Sequence, residues 1–496
     1  MKIFEAHIFL LKRVRPHTLR KFSYIYENLL SMKRIIATLT WTLIATAALA
    51  QTGHWSGKLD AGGATVSLIF HLGDSTATLD VPDMGAKGIP VSVKRMATGQ
   101  IELGIPAINA SYKGVWTGKL ISGTYTQHGM SFPMPLTPGV PALKRPQTPV
   151  GPFVYVNADV TFSNGDAVLK GTLTTPKNCN RETPVLIMVT GSGLQNRDEE
   201  IFEHKPFAVI ADAFAKAGIA TLRYDDRGFG ESTGDVISCT TEDLKNNALA
   251  GIRLLRERFD HVGVLGHSEG GSIALMLAAE GQADFVISLA GMIISGAETL
   301  MEQNRHALQM AGMSEADVNS YCRFLSDAFN AAVHNSPYPS LEDYYLPAGL
   351  KQNAGTVINS LGTPYMKYFL GMNVSEMLHS VTCPVMALNG TKDIQVDCER
   401  NLEALRKGLP TDVGDNSTIK NDGTADRETV RTSDVKAGSS SDEQQTVVIE
   451  AKEGLNHLFQ HCTTGELNEY KEIEETFAPE VLTEMIAWIQ SIARGR

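Results

Sequence analysis

The chain has 496 residues, 43% of them hydrophobic, more than one hydrophobic core usually serves, so at least two folded units are expected. The formal charge of −11 argues against a partner held by its phosphates, because nucleic-acid binders gather Lys and Arg on one face. No nucleic-acid partner is expected.

The first informative segment begins with Lys33 and Arg34, followed by an apolar run from Ile35 to Leu49 that exits through Ala48-Leu49-Ala50. A basic start, a short apolar stretch and a small-residue exit predict a secretory signal peptide cleaved after Ala50. The run is shorter than the ~20 residues that a bilayer requires, so no membrane span is expected once it is removed. Residues 1–31 precede Met32 and read as an upstream extension. The expected location is secreted or periplasmic. The six cysteines are too few for a disulfide scaffold, although Cys398 and Cys462 flank two segments of interest and a bridge between them stays open.

From residue 51 to about 145 the pattern is strand and turn, with Val66, Leu68, Phe70 and Leu72 alternating with Ser67, Ile69 and His71. This predicts a small all-β domain. Trp55-Ser56-Gly57-Lys58-Leu59 is echoed by Trp116-Thr117-Gly118-Lys119-Leu120, which is too short to define a repeat. The proline-rich stretch from Lys144 to Pro152 predicts a stiff linker. Beyond it, from residue 146 to 496, apolar β-branched runs at 185–189, 220–223 and 262–265 alternate with helical patterns at 207–217 and 244–256. Such alternation predicts βαβ units and a mainly parallel sheet.

Two segments interrupt that rhythm. Residues from about 292 to 380 are Met-rich and helical in pattern between two strands, and predict a lid inserted over a site. Residues from about 411 to 445 hold almost no apolar side chain, so they predict a disordered polar insertion.

Gly266-His267-Ser268-Glu269-Gly270 fits G-x-S-x-G, in which a tight strand-to-helix turn exposes a nucleophilic serine. A second match, Gly230-Glu231-Ser232-Thr233-Gly234, follows a polar loop rather than an apolar strand and is read as accidental. Ser268 has the strand His261–Leu265 before it and a helical run, Ser272–Ala279, after it. A serine hydroxyl needs a histidine base, which in turn needs an orienting carboxylate. In this arrangement the chain order is serine, acid, histidine. His457 follows the predicted strand 446–449, and His461, one helical turn on, reads as structural. Asp393 ends the turn after the strand 385–388, with Asp397 as the alternative acid. Backbone donors for an oxyanion are expected from Glu269 and from Ser192 in the loop Gly191-Ser192-Gly193. No metal and no cofactor is expected. Leu458 stands where the Glu of H-E-x-x-H would be.

Four motifs recur here in order: Gly191-Ser192-Gly193 with Asn196-Arg197-Asp198-Glu199, Arg223-Tyr224-Asp225-Asp226-Arg227-Gly228, Gly266-His267-Ser268-Glu269-Gly270-Gly271, and Leu455-Asn456-His457. Together they make the chain resemble secreted bacterial α/β-hydrolases of the carboxylesterase and serine-aminopeptidase-like group, over residues 146 to 496. The resemblance implies an α/β-hydrolase sheet with a helical lid insertion, here preceded by the small all-β domain. It implies a nucleophile at Ser268, an acid at Asp393, a base at His457 and oxyanion donors at Ser192 and Glu269. Arg197, Asp198 and His204 match motif positions with structural or pocket-shaping roles. The polar stretch 411–445 departs from the group, lengthening the interval between Asp393 and His457. The expected substrate is a small-molecule carboxylic ester. A serine aminopeptidase-like peptidase is the alternative, as is an inert hydrolase-fold binding protein. Thr363–Phe369 is a candidate acyl-pocket segment.

Overall fold

The computed structural model describes residues 52–60, 65–73, 76–82, 86–96, 99–127, 129–140, 144–410 and 447–494. The expected leader at 1–50 and the whole of the expected polar insertion at 411–445 lie outside the described residues. The chain divides into two compact units, residues 1–142 and 143–496.

The first unit is an antiparallel meander of β1 (Gly53–Asp60), β2 (Thr65–Leu72), β3 (Ala77–Val81), β4 (Ala86–Arg95), β5 (Gln100–Ile105), β6 (Ala110–Trp116), β7 (Ile121–Gln127), β8 (Met130–Pro133) and β9 (Thr137–Pro138). Its last segment pairs with β7 through β8, meets Ile121 again at Leu136, and pairs with β1 through β9. The sheet thereby closes on itself as a barrel and hides its edges. Period-two alternation sends one face of each strand inward, where Phe70, Leu79, Ile101, Tyr112 and Tyr125 fill the interior. The two halves of the short echo are not equivalent. Trp55–Leu59 lies within β1, whereas Trp116 ends β6 and residues 117–120 form the turn into β7.

The second unit begins earlier than its linker reading suggested. Arg145 donates to the carbonyls of Phe202, Lys471 and Ile473, and Gln147 accepts from Phe477 N–H at 3.0 Å. The segment 144–152 is therefore docked on the second unit rather than being a free spacer, because its polar side chains satisfy main-chain groups that would otherwise be bare.

The elements that follow are β10 (Tyr155–Asn164), β11 (Ala167–Pro176), β12 (Val185–Val189), α1 (Pro206–Lys216), β13 (Ala220–Tyr224), α2 (Thr241–Arg256), β14 (Val262–His267), α3 (Glu269–Ala279) and β15 (Val286–Leu289). Next come the helices α4 (Gly296–Met310), α5 (Glu315–Val333), α6 (Ala348–Leu361) and α7 (Pro364–Gly371), then β16 (Val385–Gly390), α8 (Cys398–Gly408), β17 (Val447–Lys452), α9 (Leu467–Tyr470) and α10 (Pro479–Arg494). The sheet runs β10-β11-β13-β12-β14-β15-β16-β17. Its first two pairings are antiparallel, and from β13 to β17 every pairing is parallel.

Strands β12 to β16 are buried at every position because helices cover both faces. One core, containing Ile187, Val264 and Ile273, lies between the sheet and α2, α3 and α8; the other, containing Leu186, Leu265 and Trp488, lies under α1 and α10. Helix α2 is opened by a capping box in which Thr240 and Asp243 exchange hydrogen bonds. Helices α4 to α7 share their own apolar cluster around Phe324, Leu325 and Leu370. With the sharp strand-to-helix turn at residue 268, the second unit is an α/β-hydrolase core. Among the described residues no helix is long and apolar enough to cross a membrane.

Candidate active site

Ser268 stands between β14 and α3 with φ 54° and ψ −120°, a conformation that only a tight surrounding structure holds in a non-glycine residue. The glycines around it make that turn possible. A Cβ on Gly266 would stand 1.9 Å from the Gly270 carbonyl oxygen, and one on Gly270 would stand 2.0 Å from that of Val189. The Ser268 N–H donates to the Leu289 carbonyl at 2.8 Å, which fixes the turn to the adjacent strand. Its hydroxyl makes no hydrogen bond among the described residues. Catalytic contacts of this kind often tighten only when substrate binds.

The base and acid come from the loops after β17 and β16. His457 Nδ1 lies 2.7 Å from Asp393 Oδ2, and both side chains are buried. The other carboxylate oxygen of Asp393 accepts the N–H groups of Gln395 and Val396 at 2.8 and 2.9 Å, so the acid is held on both sides. The two loops are pressed together at Gly390, where any Cβ would meet the Leu455 carbonyl at 2.2 Å. Asn456, fully buried, accepts from the N–H groups of Leu458 and Gln460 and shapes the turn that carries His457. The structure thus brings Ser268, His457 and Ser192 to one cavity of about 330 Å³.

The loop after β12 reaches this cavity at Gly191, whose added Cβ would lie 3.1 Å from that of Ser268. Its own N–H is taken by Glu199 Oε1 at 2.7 Å. Among the described residues the N–H groups of Ser192 and Glu269 make no hydrogen bond, the latter because a first-turn donor has no intrahelical partner.

Sequence reasoning missed the buried groups that hold this loop. Glu199 Oε1 also lies 2.9 Å from His267 Nδ1, and His267 Nε2 lies 2.8 Å from the His457 carbonyl oxygen. Burial works against the His267 imidazolium, but the Glu199 carboxylate outweighs it and raises the pKa. Asp226 accepts from the Thr190 hydroxyl and the Gln195 N–H, and burial, with Glu199 and Glu269 nearby, pushes its pKa up to about 7. Tyr365, on α7, donates its hydroxyl to Glu269 Oε2 at 2.5 Å. Pairs so distant in the chain leave no periodic signal.

The other motif residues have placements of their own. Arg197 forks onto Asp225 at 3.0 and 2.7 Å, Asp198 pairs with Arg223, and His204 is buried between Thr476 and the Tyr470 carbonyl. Burial lowers the His204 pKa to about 4. Ser232 is buried away from the cavity, its hydroxyl donating to the Asp225 carbonyl and accepting from Lys170 N–H. Asp397 caps α8 by accepting from Arg400 N–H, and His461 pairs with Glu475 and Glu480 near the surface. Cys398 and Cys462 are not bridged to each other, and their thiols donate instead to the carbonyls of Asn389 and Gly454.

A profile of the family described as X-Pro dipeptidyl-peptidase (S15 family) matches residues 164–408. Over 167 residues the chain is 33% identical to esterase EstD of Thermotoga maritima, a match covering 33% of this chain and 39% of that protein's length. Among solved structures it is similar to proline iminopeptidase of Mycobacterium smegmatis, with 14% identity, a TM-score of 0.40, and coverage of 68% of this chain and 99% of the other. It is also similar to the Pyrococcus furiosus esterase Pf2001, with 17% identity, a TM-score of 0.36, and coverage of 54% and 86% respectively.

Proposed function

We propose that the chain is a serine hydrolase that cleaves carboxylic esters through an acyl-enzyme. The observation that carries this reading is the 2.7 Å contact between His457 Nδ1 and Asp393 Oδ2, made where His457 and the strained Ser268 border one cavity. Ser268 attacks the ester carbonyl while His457 takes its proton, and the Ser192 and Glu269 N–H groups receive the oxyanion. His457 then returns the proton to the departing alcohol. Water repeats the sequence to release the acid. Asp393 keeps Nδ1 protonated, leaving Nε2 free to act as the base, a role whose loss costs ~10⁴ in turnover in the serine-protease template.

The cavity supports an ester rather than a substrate with a free amino terminus. Its apolar wall includes Ile201, Leu300, Met366 and Phe369, which suits an acyl chain. Among the described residues the one carboxylate lining it is Glu199, already engaged by Gly191 and His267, so an ammonium group would meet no unpaired acid. Helices α4 to α7 act as the lid in this reading, and the leader at 33–50 directs export. The match to an X-Pro dipeptidyl-peptidase family keeps a peptidase as the second reading.

Turnover of p-nitrophenyl acyl esters set against aminoacyl p-nitroanilides separates the two readings. Ester cleavage is expected, together with fluorophosphonate labelling of Ser268 that the Ser268→Ala variant abolishes. Turnover of anilides alone rejects the ester, and an unlabelled, inert wild-type chain rejects the hydrolase.

A further inference from the structure

Glu199 and His267 take no part in the acyl transfer described above, yet both are buried directly behind it. His267 precedes Ser268, and its ring packs 4.6 Å from that of His457. Its two nitrogens face the Glu199 carboxylate and the His457 carbonyl, at 2.9 and 2.8 Å. One partner is a carbonyl and the other a carboxyl group, so with Glu199 ionised both nitrogens donate only when the ring is an imidazolium. Glu199, itself in the left-handed region at φ 53°, uses the same oxygen to accept the Gly191 N–H.

We propose that Glu199 and His267 are positioning residues, a buried ion pair that ties the oxyanion loop at Gly191 to the main chain of the base at His457. The inference rests on the serine-hydrolase reading. Gly191 supplies the carbonyl half of the peptide whose N–H is that of Ser192, so holding Gly191 orients an oxyanion donor. Holding the His457 carbonyl places the base against the same frame. One charge pair then fixes the distance between the group that takes the proton and the group that receives the oxyanion. A misplacement of about 1 Å between such groups costs ~10²-fold in rate.

The charge of His267 is set by the groups that face it. These are Glu199 from the loop after β12, and Asp393 and His457 from the loops after β16 and β17. Asp226 in turn stands near both Glu199 and Glu269. The raised pKa lets the ring hold its second proton to higher pH than a free imidazole, and deprotonation removes one of its two hydrogen bonds.

The test compares wild type, His267→Gln and Glu199→Gln as full-length proteins, by ester turnover against pH, thermal midpoint, and NMR of histidine labelled with nitrogen-15. Expected are a doubly protonated His267 in the wild type at neutral pH and a kcat lowered ~10²-fold in folded His267→Gln, with KM nearly unchanged. The alkaline limb of the wild-type profile is expected to move to lower pH in Glu199→Gln. In His267→Gln it is expected to disappear, an effect that a purely structural role would not produce. Should His267→Gln fail to fold, Glu199→Gln and the wild-type spectrum decide. An active wild type with a neutral His267 ring, or a folded His267→Gln with unchanged kcat and pH profile, overturns this inference alone. A wild-type chain that neither cleaves esters nor labels at Ser268 overturns the hydrolase reading and the positioning role with it.

Discussion

Tyr365 donates its hydroxyl to Glu269 Oε2 at 2.5 Å, joining α7 to the first residue of the helix behind Ser268. Burial, followed by the charge of Glu269, pushes the Tyr365 pKa far above its ordinary value, so the phenol remains a neutral donor. Glu269 is fully buried and has Thr241 as its other hydroxyl partner, at 2.7 Å. Tyr365→Phe leaves the carboxylate one donor short, a loss of about 1.5–3 kcal/mol for a bond to a charged group. Because the Glu269 N–H is the proposed oxyanion donor, kcat is expected to fall about tenfold, or about 1.4 kcal/mol of barrier. Steady-state kinetics beside a thermal melt measures both effects. An unchanged kcat would show that α7 does not govern the oxyanion hole.

Gly270→Ala tests the turn itself. The added methyl would meet the Val189 carbonyl at 2.0 Å, main chain that cannot move without displacing the loop carrying Ser192. Such overpacking costs about 3 kcal/mol. The variant is expected to melt lower and, where it remains folded, to react more slowly with fluorophosphonate. Wild-type labelling would mean that the backbone relaxes at little cost.

The sequence revealed what local chemistry fixes. Buried parallel strands read as apolar runs, so β12 was found at 185–189 with its observed bounds, and β13, β14 and β16 to within a few residues. Ser268 was separated from Ser232 by the strand before it and the helix after it, an order the structure shows. The hairpin β10–β11 was overlooked because β10 is an edge strand with most side chains exposed. Its one local signal was the two-residue turn Gly165-Asp166 between the paired Asn164 and Ala167, with Gly165 at φ 58°. Glu199 and His267 were visible as letters of motifs, but their meeting across 68 positions is set by the sheet and not by any local pattern. The same holds for Tyr365 and Glu269, 96 positions apart. The closure of the barrel also had no local sign, since it depends on the segment carrying β8 and β9 pairing at both ends.

Asp226 gives the stability of the protein a pH dependence of predictable sign. Its folded pKa, about 7, lies above that of an unfolded aspartate, about 3.9, so between these values the folded state alone holds the proton. Stability from this group therefore falls as pH rises from about 4 to about 7, by roughly 1.4 kcal/mol per unit where the difference is complete. His204 acts oppositely from about pH 4 to about 6.5, since its folded pKa is lowered to about 4 and the unfolded state alone is charged there. The wild-type curve therefore conceals both contributions. Asp226→Asn removes one of them, and its stability relative to wild type is expected to increase with pH across that window. Denaturant melts at several pH values measure the difference, and a constant offset would place the Asp226 pKa near its ordinary value.

Arg197 holds the loop after β12 through two hydrogen bonds from its guanidinium to Asp225 and a further one from its main-chain N–H. The Asp225 side chain is almost fully buried, and burial opposes its charge, yet the Arg197 fork and the N–H donors leave its pKa below the usual carboxylate value. Arg197→Met retains much of the side-chain volume but leaves that carboxylate without its cation, which for a buried pair costs about 3–5 kcal/mol. The double variant Arg197→Met, Asp225→Asn removes the stranded charge as well and is expected to recover part of the loss. Folded fractions from urea melts of the two variants give the comparison. Equal destabilisation would mean that shape rather than charge anchors the loop at this point. If charge is the anchor, the double variant should also recover turnover, because the same loop carries Gly191 and Ser192 to the serine.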